Sequence, residues 1–274
     1  MRGDGETSSE AAIARYRTVR AATEALARRL SAEDQQAQSM PDASPVKWHL
    51  AHTAWFFETF MLTPKLAGYR PFDESFGYLF NSYYEAVGAR HPRPERGLIT
   101  RPGAAEVLDW RAHVDAAMEQ LIPQLDATGR ALLDLGLAHE EQHQELILMD
   151  VLHLFSRSPL KPAVFDGAPE AAPDPGPLGW TAFDGGEVEV GCDGEGFCFD
   201  NELPRHRALV QPYRLADRLV TNAEWLAFIE DGGYGRADLW LSDGWAKVRG
   251  EGWEAPLYWE NRDGDWFEMG LHGL

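Results

Sequence analysis

Apolar residues recur at helical spacing through most of the first 155 residues, in four runs. The first, Ala/Arg/Leu-rich, spans about Ser9 to Ser31. The second opens at Ser44-Pro45, which reads as an N-cap serine followed by proline at the first helical position. It carries Trp48, His52, Trp55, Phe56 and Phe60 and is expected to stop near Pro64. The third covers about Ala104 to Ala127. The fourth covers Gly129 to Phe155, with Leu132, Leu133, Leu135, Leu146, Leu148, Val151 and Leu152 as its apolar positions. Between the second and third lies a Tyr-, Phe-, Arg- and Pro-rich connection from Phe72 to Pro102. Structureless connections of that length are uncommon in compact domains, which argues for a functional loop. Four helices with long connections predict a bundle, a fold that builds metal sites from facing core positions.

The pattern changes after Pro159. A Pro/Ala/Gly stretch runs to Pro177, then Gly186-Glu187-Val188-Glu189-Val190 alternates as a strand does, and Thr221 to Ile229 reads as one short helix. The expected fold class is therefore α plus α+β: a helical domain over 1–158, a linker over 159–177 and a loop-rich α+β domain over 178–274. No internal repeat is evident.

Composition narrows the function classes. The chain has 274 residues, enough for two domains of ordinary size. Its 25 basic and 44 acidic residues give a net charge of −19, which repels phosphate backbones and anionic lipid, so neither nucleic acid nor membrane is an expected partner. No basic-then-apolar leader and no apolar run of bilayer thickness is present. The two cysteines, Cys192 and Cys198, are too few for a disulfide-stapled secreted fold. They read as free structural thiols in a reducing compartment, and the expected location is cytoplasmic. Ten tryptophans fit packed cores or pockets for organic substrates.

The candidate chemistry lies in His139-Glu140-Glu141-Gln142-His143. Two imidazoles four residues apart leave one face of a helix and can converge on one ion. They share that face with Leu146 and Asp150, so the rings should point inward, where an unpaired imidazole is costly. A third ligand from the facing helix would complete a triad, and His49 and His52 compete for the role. Spacing does not choose between them, nor does it identify the metal, since three imidazoles suit zinc, iron, nickel or copper. Taken literally, His139-Glu140-x-x-His143 is also the zinc-protease pattern with Glu140 as general base. That pattern wants a glycine turn and a further ligand downstream, whereas Gln144 to Leu152 continues the helix.

Several segments together resemble a known family: Ser44-Pro45-Val46-Lys47-Trp48-His49-Leu50-Ala51-His52-Thr53, Asn81-Ser82-Tyr83-Tyr84, Arg90-His91-Pro92-Arg93-Pro94-Glu95-Arg96-Gly97, His139 to Glu145, Glu202 to His206 and Val220 to Trp225. They are similar to the sulfoxide synthases of ergothioneine biosynthesis (hercynine oxygenases). The resemblance implies an N-terminal DinB-like four-helix bundle and a C-terminal domain like the formylglycine-generating enzyme, of C-type-lectin-like fold. It implies a non-haem Fe(II) enzyme that uses O2 to join cysteine or γ-glutamylcysteine to C2 of the hercynine imidazole, giving a sulfoxide. By the same resemblance the iron ligands fall on His52, His139 and His143, and Gln142 contacts the substrate imidazole. Tyr83 and Tyr84 match an active-site tyrosine pair, while Arg93 and Arg96 match arginines that hold the thiol's carboxylate. The family's second domain is about half complete at Leu274, so a truncated metal-binding protein is one alternative expectation. A DinB-like metal-dependent thiol transferase is the other.

Overall fold

The computed structural model describes residues 4–84, 86–194 and 196–274. The chain divides into two compact units, Met1–Asp166 with Gly273, and Gly167–His272 with Leu274. Among the described residues no helix is long and apolar enough to cross a membrane.

The first unit is a bundle of four main helices: α1 (Asp4–Ala27), α2 (Val46–Phe57), α3 (Ala104–Leu121) and α4 (Ala127–Arg157). Helix α2 packs against both α3 and α4, and α1 packs along α4. All twelve residues of α2 are buried. A helix enclosed on every side must satisfy its polar groups internally. Lys47 does so by donating Nζ–H bonds to the carbonyls of Ile99 and Pro102 at 2.7 and 2.8 Å. Trp55, Trp110, Phe57, Phe80 and Tyr16 fill the surrounding core.

The start of α2 differs from expectation by one residue. Pro45 occupies the N-cap position and has no polar side chain to cap with, while the Ser44 hydroxyl accepts from Arg96 Nη1 at 2.8 Å. The helix also does not stop at Pro64. It continues through a π-helical turn (Glu58–Leu62) into Thr63–Lys65 and ends one residue past the proline. The expected loop from Phe72 to Pro102 contains a short helix (Phe76–Leu79) and a 3₁₀ turn (Arg93–Leu98). Asp126 caps α4 by accepting from the Gly129 N–H at 2.7 Å.

Gly136 sets the spacing between α2 and α4. A Cβ there would lie 2.6 Å from Phe57 Cε1 and 2.8 Å from Phe56 Cε1. The two backbones approach this closely one turn before His139. Gly136→Ala is expected to lower stability by about 1–2 kcal/mol, the overpacking cost exceeding the ~1 kcal/mol that alanine gains in a helix. Urea denaturation checks this, and a stabilised variant would refute the close-packing argument.

The second unit contains three two-stranded antiparallel ribbons among its described residues. Strands β1 (Trp180–Phe183) and β4 (Tyr213–Ala216) pair with Phe183 opposite Tyr213. Strands β2 (Gly186–Val190) and β3 (His206–Val210) pair with Val190 opposite His206, and β5 (Trp259–Arg262) pairs with β6 (Asp265–Glu268). Every position of β2 is exposed, so its alternation marks a strand but not a buried face. Helix α5 (Asn222–Glu230) starts at a Thr221–Glu224 capping box, and Phe228, Tyr234 and Trp240 cluster beside it. Cys192 and Cys198 are free thiols of intermediate exposure.

Candidate metal centre

His52 leaves α2 and His139 and His143 leave α4 into one buried space, where one nitrogen from each lies within 4.8 Å of the others. The four-residue spacing on α4 stacks His139 and His143 one turn apart, and their Nε2 atoms stand 3.1 Å apart. His52 is held between two indoles of its own helix, Trp48 at 4.6 Å and Trp55 at 5.3 Å between ring centroids, both nearly parallel to it.

Hydrogen bonds select the free nitrogen of two of these rings. His52 Nδ1 lies 2.6 Å from the Phe80 carbonyl. A carbonyl only accepts, so Nδ1 carries the proton and Nε2 keeps a lone pair. His143 Nδ1 lies 2.8 Å from His49 Nδ1, which leaves its Nε2 facing the triad. His139 Nδ1 is buried with no hydrogen-bond partner.

Burial pushes all three imidazoles below the ordinary histidine range: His52 and His143 well below it, and His139 down to about 4 despite the opposing Glu140 carboxylate. At neutral pH they are uncharged bases. This donor set fits a divalent metal. Two nitrogens each ~2.1 Å from one ion at right angles lie ~3 Å apart, close to the His139–His143 separation. Without an ion, the same contact is satisfied when His139 carries its proton on Nε2 and donates to His143 Nε2.

Glu140 turns away from the triad. Its carboxylate is fully buried and accepts from Arg20 Nη1 and Arg111 Nη2, each at 2.9 Å. Both oxygens are engaged, so it is not placed as the general base of the zinc-protease pattern.

The other predicted residues are distributed around this centre. Tyr84 is half-buried, with its ring 5.4 Å from Trp55, the indole that stacks on His52. Burial, with Tyr83 beside it, pushes its phenol up to about 12. Tyr83 stacks on Tyr84 and is 67% exposed. Gln142 is exposed on α4. Arg93 is exposed and donates to the Asp42 carbonyl. Arg96 is buried, with its guanidinium 3.4 Å over the Trp48 ring, and it donates to Ser44 Oγ at 2.8 Å and Ser82 Oγ at 3.3 Å. Its Nε has no partner, and no carboxylate pairs with it among the described residues. Burial, with Arg93 and Arg90 nearby, lowers it to about 9.

The sequence offered His49 as a competitor for the third ligand but not its partners. His49 Nε2 lies 3.0 Å from Asp150 Oδ2. Asp150, seven residues after His143, was legible as sharing its face, but a contact with a residue 101 positions away was not.

Residues 15–147 match the DinB superfamily, and residues 172–265 match the sulfatase-modifying factor enzyme 1-like domain. Over 234 residues, 82% of this chain, the sequence is 32% identical to the hercynine oxygenase of Mycolicibacterium thermoresistibile, covering 49% of that protein. It is 31% identical to the hercynine oxygenase of Mycolicibacterium smegmatis over 266 residues, 94% of this chain and 57% of that protein. A shorter match, 35% over 80 residues and 26% of each chain, is to the formylglycine-generating enzyme of Streptomyces coelicolor. The chain thus spans about half the length of the hercynine oxygenases it matches.

Proposed function

The chain is a relative of the hercynine oxygenases, and we propose that it is a non-haem iron sulfoxide synthase with His52, His139 and His143 as its metal ligands. The observation that carries this reading is the buried triad itself, three neutral imidazoles from facing helices with one nitrogen of each within 4.8 Å of the others. The reaction joins the sulfur of cysteine or γ-glutamylcysteine to C2 of the hercynine imidazole. One C–H and one S–H bond are lost, the C–S bond and the S–O bond form, and O2 supplies the sulfoxide oxygen and leaves its other atom as water. Bound Fe(II) would supply thiolate activation and oxygen chemistry.

The chain's own residues supply binding and protons. Arg96 is a buried guanidinium that no carboxylate pairs with directly among the described residues, so a substrate carboxylate would satisfy it with a forked, charge-assisted pair; Arg93 stands in the same 3₁₀ turn. Tyr84, whose phenol keeps its proton, is the donor toward reduced oxygen, with Tyr83 stacked behind it. Gln142 would reach the hercynine imidazole through its amide. The same reading puts the enzyme in the cytoplasm, where Cys192 and Cys198 stay reduced.

The test is incubation of the Fe(II)-loaded protein with hercynine, O2 and either thiol, with product read by mass spectrometry and O2 uptake by electrode. The expected result is an oxygen-dependent hercynyl sulfoxide. Thiol conjugation without O2 uptake would replace this reading with a zinc or nickel thiol transferase. Arg96→Gln is expected to raise the thiol KM at least ~10-fold with a smaller change in kcat, as loss of a charge-assisted carboxylate contact requires. An unchanged thiol KM would remove Arg96 from the thiol site.

A further inference from the structure

A chain of hydrogen bonds runs inward to the triad from Asp150, and the proposed reaction assigns it no part. Its donor and acceptor roles follow from the chemistry of each group. A carboxylate only accepts, and Asp150 Oδ2 already takes the Ser44 backbone N–H at 2.8 Å. The His49 nitrogen that faces the same oxygen at 3.0 Å, Nε2, therefore carries a proton. A neutral imidazole carries one proton, so His49 Nδ1 is left as a lone pair. His143 Nδ1 lies 2.8 Å from that lone pair and must donate to it. His143 then presents Nε2 as its basic nitrogen, the atom that stands 3.1 Å from His139 Nε2 inside the triad.

We propose that His49, oriented by Asp150, is a positioning residue that holds His143 in the Nδ1-protonated tautomer and turns its Nε2 toward a metal ion in the triad. The proposal rests on the triad being a metal site. Two features sharpen it. His49 is buried beside the Trp48 ring, with ring centroids 5.7 Å apart and planes nearly perpendicular, so its rotation is restricted. Support is also unequal around the triad: Phe80 fixes His52 and His49 fixes His143, while His139 Nδ1 has no partner. Among the described residues His49 thus supplies one of two restraints on ligand tautomer, and its loss should be felt in metal affinity. Such outer hydrogen bonds raise ligand basicity and fix ring orientation.

The test uses Co(II) with the 274-residue chain, following visible d–d absorption and competition with a chelator. His52→Ala should abolish binding, which locates the ion at the triad. His49→Phe keeps an aromatic ring but cannot accept, and is expected to weaken Co(II) binding by ~10- to 100-fold and change the d–d spectrum. His49→Gln, whose carbonyl can accept the same N–H, should recover most of the affinity. Asp150→Ala leaves the His49 ring in place and should shift affinity in the same direction as His49→Phe, so it decides the matter if His49→Phe does not fold. Binding within twofold of wild type and an unchanged spectrum in Asp150→Ala and in folded His49→Phe would overturn the positioning role while leaving the metal site intact. No Co(II) binding by wild type, or binding indifferent to His52→Ala, would instead overturn the metal reading and this proposal with it.

Discussion

Glu140→Ala is expected to destabilise the helical unit by about 3–5 kcal/mol, lowering its thermal midpoint by roughly 10 °C or more. The carboxylate is completely buried and joins Arg20 of α1 to Arg111 of α3 from its place on α4. Arg111 in turn donates to Thr53 Oγ1 and the Leu50 carbonyl of α2, and Arg20 donates to Asp115 Oδ1 at 2.7 Å. One side chain thus connects all four helices. Its removal leaves Arg20 with Asp115 and Arg111 with Glu24 as their remaining carboxylates, so two buried guanidiniums each lose a fully buried partner, a larger cost than the net worth of the ion pairs themselves.

Acid should act on the same network. Burial alone would push the Glu140 carboxyl up, but Arg20 and Arg111 hold it down at about 2, below its ordinary 4.5. A carboxylate depressed on folding stabilises fully above its unfolded value and loses that contribution as pH falls through its folded value. The wild-type unit should therefore lose stability between about pH 4.5 and pH 2, and the gap to Glu140→Ala should narrow over that window. Urea midpoints at pH 7 and pH 3 measure both effects. A variant within 1 kcal/mol of wild type at pH 7 would show that the Arg–Glu–Arg group is dispensable.

Glu140 also marks where the sequence stopped being legible. The four helical runs, the strand at Gly186–Val190 and the short helix after Thr221 followed from spacing and capping residues, which act within a few positions. The i,i+4 histidine pair was legible for the same reason. Spacing did not say whether His49 or His52 completes the triad, and only the family resemblance chose His52, because both lie buried on α2 and three positions apart. What separates them is what stands behind each ring: the Phe80 carbonyl behind His52, and Asp150 behind His49. A backbone carbonyl carries no residue signature. Glu140 matched the general base of a zinc-protease pattern, yet its partners lie 120 and 29 residues away, and their charge is visible only once the helices are packed. Ser44 illustrates the same limit on a smaller scale: a good capping residue was taken up by a distant arginine.

His139→Ala separates a metal centre from a merely polar core. In a bundle that holds no metal, this substitution should cost only what a shortened buried side chain and one imidazole hydrogen bond to His143 cost, since His139 Nδ1 makes none. In a metal centre it removes one of three ligands, and the effect depends on the ion. Wild type saturated at ~100 times its Kd should gain about 2.7 kcal/mol from binding, a shift His139→Ala should not show. Iron analysis after anaerobic Fe(II) loading is expected to fall from near one ion per chain to near zero, with sulfoxide formation lost in parallel. His52→Ala should behave alike from the opposite helix, because the three donor atoms act on one point. Equal thermal shifts with Fe(II) in wild type and His139→Ala would mean that the ion binds elsewhere, and the 3.1 Å contact between His139 and His143 would then be an imidazole hydrogen bond in a polar core.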